Sequence, residues 1–356
     1  MSHTEWFFLL TGLLLVIVSF IHLIKYDAWW IRIWDFPHMQ LALMSLLCLA
    51  GWLSVAQIDT LLDKSVTAGL LAALSYQLWL FLPYTRVYPS EMKHSRLKDE
   101  SRTLSLMIAN VLMDNRKYDR LLRLVDEHQP DILLVVETDE AWRRALKRLE
   151  TSYPYRVLHP LPNTYGMMLY SRLRVKGPEV RFLIKDEIPS IRATIELPNG
   201  VPVCFYGVHP EPPSPTEHDR STERDAELLL VGREARILKN PVIVAGDLND
   251  VAWSHTTRLF QRISGLFDPR VGRGLFSTFH ANYFFLRWPL DHIFASAHFK
   301  LRKICRMPHI GSDHFPIYVE LSYEPDEEAF AETPRPEGDD QQEASEKIDK
   351  GIRENS

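Results

Sequence analysis

The sequence predicts an α/β fold in which two mixed β-sheets pack together with helices outside, preceded by three transmembrane helices. Three observations lead there. Three long, uncharged apolar runs occupy the first 88 residues. Beyond a short polar stretch, β-rich runs alternate with helical patterns. Some neighbouring strands are joined by a turn alone and others by a helix, and that mixture of hairpins and crossovers requires mixed sheets rather than one parallel sheet.

Trp6 to Ile24 is almost wholly apolar and uncharged, about the length that spans the hydrocarbon layer as a helix. Met39 to Val55 and Val66 to Leu82 follow at 17 residues each, the short end of the spanning range. Buried helices of a soluble domain would show similar runs. Trp6, Trp29, Trp30, Trp34, Trp79, Tyr84 and Tyr88, however, cluster at the run ends, where amphipathic rings favour the headgroup level. No basic residue precedes the first run and other runs follow it, which argues against a cleaved signal peptide. Lys25, Arg32, Arg86, Lys93, Arg96, Lys98 and Arg102 share one side against Lys64 on the other, so the positive-inside rule places the soluble part in the cytoplasm.

Residues 89–102 form a polar linker without apolar periodicity, and the globular part, 103–322, starts after it. Strands are expected at Thr103 to Ala109, Ile132 to Val136, Gly166 to Tyr170, Arg192 to Leu197, Val201 to Val208, Val242 to Ala245 and Leu290 to Ala295. Helices are expected near 116–128, 139–150, 218–238 and 254–264. Pro198-Asn199-Gly200 reads as a hairpin turn. The stretch 323–356 is rich in Glu, Asp, Pro, Gln and Ser and is expected to be disordered, with too little apolar surface to offset its chain entropy.

Charge narrows the function. From Glu324 onward there are twelve acidic and four basic residues, so the rest of the chain carries +3 of the net −5. Residues 103–323 hold 29 basic and 26 acidic side chains, too balanced for the basic face of a strong duplex-DNA binder. Cys48, Cys204 and Cys305 offer neither a disulfide framework nor a zinc site. The apolar spans carry no internal charge of the kind that marks an ion path.

The chemistry lies at the ends of apolar strands. Asn110 follows Ser-Leu-Met-Ile-Ala, and Glu137 closely follows Ile-Leu-Leu-Val-Val. Asp247 and Asn249 stand in Val-Ile-Val-Ala-Gly-Asp-Leu-Asn, Asp291 and His292 follow Trp-Pro-Leu, and Ser312, Asp313 and His314 precede Phe-Pro-Ile-Tyr-Val-Glu-Leu. Singly, such residues are turn formers or solvated strand ends. Together, with Gly246-Asp247-Leu248-Asn249, Leu290-Asp291-His292-Ile293 and Gly311-Ser312-Asp313-His314 in this order, residues 103–322 resemble the endonuclease/exonuclease/phosphatase (DNase I-like) family.

That resemblance implies a four-layered α/β sandwich and a phosphoesterase. It makes Glu137 the main ligand of Mg²⁺ or Mn²⁺, with Asn110 and Asp313 completing or adjoining the site; a hard cation suits such oxygen donors. His314 would contact the phosphate or activate water, with Asp291 holding its ring. Asp247 is the other candidate base, and Asn249 would orient the phosphate. His209, in Tyr-Gly-Val-His-Pro, matches a second histidine able to protonate the leaving oxygen. Arg192, in Ser-Ile-Arg-Ala-Thr, resembles a strand arginine that clamps phosphate, and Tyr165 precedes a family-like strand ending in Ser-Arg. The expected activity is nuclease-like hydrolysis of a phosphodiester by activated water. The alternatives are a phospholipid or sphingolipid phosphodiesterase, an inositol-phosphate-type phosphatase, or a catalytically silent membrane scaffold. The bilayer and a phosphate-ester substrate, nucleic acid or lipid headgroup, are the implied partners.

Overall fold

A computed structural model describes residues 2–355. The apolar runs fold as helices, which satisfy their own backbone groups without water: α1 (His3–Phe20), α3 (His38–Val55) and α4 (Leu61–Phe81), with the short α2 (Trp29–Arg32) between the first two. Three helical stretches, His3–Leu23, His38–Val55 and Leu61–Tyr84, are long and apolar enough to cross a membrane. Leu9, Leu15, Leu41, Leu49, Trp52, Val66 and Leu70 pack at the centre of the bundle. Leu10, Leu14, Ile17, Leu43, Leu47 and Leu71 face outward and exposed, the reverse of a water-soluble helix bundle and the surface a hydrocarbon solvent requires.

Residues 89–102 are not a free linker. Met92 is buried in the central core, and Lys93 and Ser95 exchange backbone hydrogen bonds with Leu301. Glu91 is half-buried beside them and accepts from the backbone of Asp268 at 2.8 Å. The segment lacks periodicity because it is pinned at single positions rather than along one face.

Burial pushes the Glu91 carboxyl up to about 8 from 4.5. The folded chain therefore holds a proton there that the unfolded chain releases, and stability falls as pH rises from about 4.5 to 8. Glu91→Gln keeps the acceptor and removes the charge. It is expected to stabilise the protein at pH 8.5 by on the order of 1–3 kcal/mol and to change little at pH 4. Thermal unfolding at the two pH values checks this, and equal shifts at both would refute it.

Behind this segment lie two sheets. The six-stranded sheet contains β1 (Thr103–Asn110), β2 (Ile132–Val136), β3 (Tyr155–His159), β4 (Met167–Ser171), β10 (Phe299–Arg306) and β11 (Ile317–Tyr323), in the order β10-β11-β1-β2-β4-β3. The five-stranded sheet runs β5 (Arg174–Arg181), β6 (Ser190–Glu196), β7 (Pro202–Val208), β8 (Val242–Asp247), β9 (Asp291–Ala295). Alternation along the strands makes the layers. Leu104, Leu106 and Ile108 of β1 meet Ile191, Phe205, Ile243 and Ile293 of the other sheet. Met107 and Ala109 face outward against α5 (Tyr118–His128) and α6 (Glu140–Ala145). On the far side, Tyr206, Val208 and Val244 meet α7 (Thr222–Ile237) and α8 (His255–Ser264). The result is the expected two-sheet sandwich with helices outside, four layers in all.

The hairpin at Pro198-Asn199-Gly200 joins β6 and β7, with Glu196 opposite Pro202 and Gly200 at φ +86°. The parallel pairs β1–β2 and β7–β8 are the crossovers. The seven expected strands are present, and β3, β5, β10 and β11 add to them. β3, β5 and β10 lie at or beside sheet edges and carry charged or exposed residues, which blunts the period-two pattern.

The acidic tail is helical where disorder was expected: α9 (Glu327–Ala331) and α10 (Asp340–Glu354). Ala344 and Ile348 pack on Leu229, Leu259 and Ile263, and Gly351 lets α10 approach Ala226 of α7 closely. Arg262 pairs with Asp340 at 2.6 Å and Lys347 with Asp225 at 2.7 Å. Composition hides this because the apolar stripe is only three residues wide, at spacings of four and three, and the acidic excess is neutralised by partners elsewhere in the chain.

Candidate active site

Strand direction gathers the site. β1, β2, β7 and β8 end at one rim, where Asn110, Glu137, His209 and Asp247 stand on or just past the last strand residue. β9 runs antiparallel to β8, so its first residue, Asp291, sits directly opposite Asp247. β11 runs antiparallel to β1, which brings His314, before its start, to the same rim. Two sheets thus converge six dispersed side chains.

Backbone geometry tightens the arrangement. Gly246 has φ +152°, and a Cβ there would stand 1.8 Å from the Val208 carbonyl oxygen, so only glycine lets β8 deliver Asp247 this close to β7. Glu137 and Asn249 adopt left-handed conformations at φ +57° and +51°, a strain of about 1–3 kcal/mol each that persists where neighbours hold it. Asn110 Nδ2 donates to Glu137 Oε1 at 2.7 Å, and the Asn249 backbone N–H donates to Asp247 Oδ1 at 3.0 Å.

Asn110 Nδ2 also donates to Asp247 Oδ2 at 2.9 Å, while its carbonyl oxygen accepts from Leu112 N. In this structure Asn110 therefore clamps two carboxylates. Ligand atoms of Glu137, His209 and Asp247 lie within 4.8 Å of one another, as do those of Asp247, Asp291 and His314. Asp313 stands outside both clusters, half-buried at the rim, with Ser312 Oγ on its carboxylate at 3.3 Å. Its charge still reaches Glu137 and His314.

The electrostatics are those of crowded carboxylates, Asp247 and Asp291 buried and Glu137 and Asp313 half-buried. Burial, with the charges of Asp313 and Asp247 adding, pushes Glu137 up to about 7. Burial and Asp291 likewise raise Asp247, against the opposing pull of His314. Burial alone would discharge His314, but Asp247 at 3.5 Å from Nε2 and Asp291 at 2.8 Å from Nδ1 outweigh it and hold the ring protonated up to about 10. Burial takes His209 down to about 4, helped by the His314 charge. Its Nδ1 is buried without a hydrogen-bond partner among the described residues.

These features test whether a divalent cation fits. Glu137 and His209 cluster on one side of Asp247, and Asp291 and His314 on its other; Glu137 is hydrogen-bonded to the Asn110 amide, and neutral His209 presents a nitrogen with no partner among the described residues. An oxygen-rich, negatively charged pocket with spare ligand capacity suits a hard cation such as Mg²⁺ or Mn²⁺.

Arg192 does not join the site. It sits opposite Tyr206 in the β6–β7 register, with its guanidinium over that ring at 5.9 Å and Glu179 at 3.9 Å. Ile191 and Ala193 face the central core, so alternation turns Arg192 to the outer face, beside α7. Tyr165 does lie next to His209, with ring centroids 5.6 Å apart, but its hydroxyl is bonded to Glu217; burial and that carboxylate raise its pKa. Asn249 Nδ2 donates to the Pro210 carbonyl at 3.0 Å, which ties the β8 loop to the His209 loop.

The sequence reading passed over the supports behind the site. His292 Nδ1 contacts Arg270 at 2.5 Å, and Arg270 pairs with Asp268. Arg224, buried, pairs with Asp225 and Asp250 at 3.0 and 3.4 Å. Phe279 lies 5.0 Å from the His314 ring. Adjacent charges such as Arg224 and Asp225 read as surface until burial shows otherwise.

Residues 107–314 match the model of the endonuclease/exonuclease/phosphatase family. No curated protein matches. Among solved structures, the human Nocturnin catalytic domain with bound sulfate is similar at 18% identity and TM-score 0.51, covering 62% of this chain and 95% of that one. D. rerio TDP2 complexed with single strand DNA product is similar at 17% identity and TM-score 0.51, covering 62% and 99%. At these identities the likeness shows the fold.

Proposed function

Because the chain belongs to the endonuclease/exonuclease/phosphatase family, we propose that it is a membrane-anchored, divalent-metal-dependent hydrolase of a phosphodiester, working by in-line attack of water. The observation that carries this reading is the convergence of Asn110, Glu137, His209, Asp247, Asp291 and His314 on one rim. Three apolar spans ahead of the domain support the anchor, and the loop cations support a cytoplasmic catalytic face.

Glu137 would hold Mg²⁺ or Mn²⁺, with His209 and Asp247 nearest to it; the bound ion would polarise the phosphoryl oxygen and offset its developing charge. His314, held protonated by two carboxylates, has no free capacity to accept a proton and serves as a fixed positive charge for the phosphoryl oxygens. Asp247 is left as the base that takes a proton from the attacking water, its burial moving it toward the working range. Asp291 orients the His314 ring. Neutral His209 donates a hydrogen bond at the phosphate or leaving oxygen.

The test is metal removal. The full-length protein in detergent should hydrolyse bis(4-nitrophenyl) phosphate with Mg²⁺ or Mn²⁺, fall to background in excess EDTA, and recover when Mg²⁺ is restored. Undiminished hydrolysis in chelator would overturn the metal assignment.

A further inference from the structure

One surface feature is unexplained by hydrolysis alone. The loop between Phe279 and Trp288 presents Tyr283, Phe284, Phe285 and Leu286 at 52, 78, 57 and 36% exposure. Four consecutive large apolar side chains in the open are costly in water. Their placement is specific: Gln40, near the start of α3, donates through Nε2 to the Phe285 carbonyl at 2.7 Å. Met39, Leu43, Phe284, Phe285 and Arg306 line one shared groove of about 700 Å³.

Depth follows from α3. At 1.5 Å per residue, Gln40 to Leu43 lie roughly 3–8 Å in from the helix start at His38. An interfacial apolar segment sits about 5–10 Å into the boundary between headgroups and acyl chains. Met39 and Leu43 are themselves exposed, so α3 and the aromatic loop form one continuous apolar surface.

The same loop reaches the catalytic centre. Phe279 packs on His314 at 5.0 Å, and Ala281 N donates to the Asp313 carbonyl at 2.6 Å. Arg287 and Arg306 flank the groove, their guanidiniums 5.1 and 4.4 Å from the Phe315 ring. Arg287 Nε is buried without a hydrogen-bond partner among the described residues, a donor suited to phosphate.

We infer that Tyr283–Leu286 is a wedge inserted in the leaflet beside α3, which sets the catalytic rim at headgroup level and makes a phosphate ester of a membrane lipid the substrate. This rests on the hydrolytic reading above. Lipid enters along the groove between the wedge and α3, its tails on the apolar wall and its phosphate toward Arg287, then Asp313 and His314. The balanced basic and acidic count of the catalytic domain favours a lipid over a polyanionic duplex.

The experiment uses the full chain reconstituted in vesicles of phosphatidylcholine, phosphatidylglycerol and phosphatidylinositol, with Mg²⁺. It follows lipid products by mass spectrometry, alongside hydrolysis of bis(4-nitrophenyl) phosphate and of a single-stranded DNA oligonucleotide. The parent should release lipid products. Phe284→Ser with Phe285→Ser should cut that release at least tenfold while bis(4-nitrophenyl) phosphate is turned over within twofold of the parental rate. Separately, p-benzoylphenylalanine in place of Phe284 should crosslink to lipid on irradiation. Soluble-ester or DNA hydrolysis without lipid products, or a wedge variant as active on vesicles as the parent, overturns the inference. So does absence of a lipid crosslink. Loss of every activity in the parent instead refutes the hydrolytic reading, and the crosslink still decides whether the wedge is inserted.

Discussion

Glu137→Gln should abolish Mg²⁺-dependent hydrolysis of a generic phosphodiester, lowering kcat/KM by at least about 10³-fold, which corresponds to roughly 4 kcal/mol of transition-state stabilisation. Glutamine keeps the volume of the side chain and an oxygen for Asn110 Nδ2, now 2.7 Å from Glu137, but has no charge to bind a cation. The fold should survive and gain. Without metal, Glu137 is raised to about 7 by burial and neighbouring carboxylates, so the folded chain retains a proton the unfolded chain has lost above about pH 4.5. Stability in chelator therefore declines from about pH 4.5 to 7. In EDTA at pH 8 the variant should melt higher than the parent, by on the order of 1–3 kcal/mol of added stability. An activity close to parental would show that the cation is held elsewhere.

Asp247→Asn is expected to lower kcat by about 10²–10⁴-fold with little change in KM, the range typical of removing a positioned base. The rationale is division of labour between two buried groups. Asp291 and Asp247 keep His314 protonated up to about 10, so that ring cannot accept the water's proton at neutral pH, whereas Asp247 is a carboxylate with its pKa raised by burial. In the parent, the rate should rise with pH as the base ionises; in the variant that limb should disappear. The substitution also removes one of the two charges holding the His314 proton, so its pKa should fall, visible as a shift of its ring resonances. A variant with kcat within tenfold of the parent would move the base away from Asp247.

The gathering of these side chains at one rim was legible in the sequence, for a topological reason. A strand residue that ends an apolar run sits at a sheet rim, and rims of strands whose directions match lie together. Glu137, Asp247 and Asp291 could be read in that way, with family resemblance ordering them. Arg192 could not. Ser-Ile-Arg-Ala-Thr shows the strand but not which of its two faces meets the other sheet, and alternation sent the guanidinium to the α7 side. The acidic tail failed for a related reason: Ala344, Ile348 and Gly351 look negligible until α7 and α8 offer a matching surface.

Local chemistry, then, marked within the sequence alone three helices long and apolar enough to cross a membrane, mixed strands that build a two-sheet core, and carboxylate, amide and imidazole side chains at the strand ends. These depend on hydrophobicity, periodicity and residue type, which are properties of short segments. Only the tertiary structure decided which carboxylates crowd together, that two of them raise His314 while burial lowers His209, and that the aromatic loop at Phe284 lies against α3. Burial and the distance between remote segments control those outcomes, and neither is defined until the chain has folded.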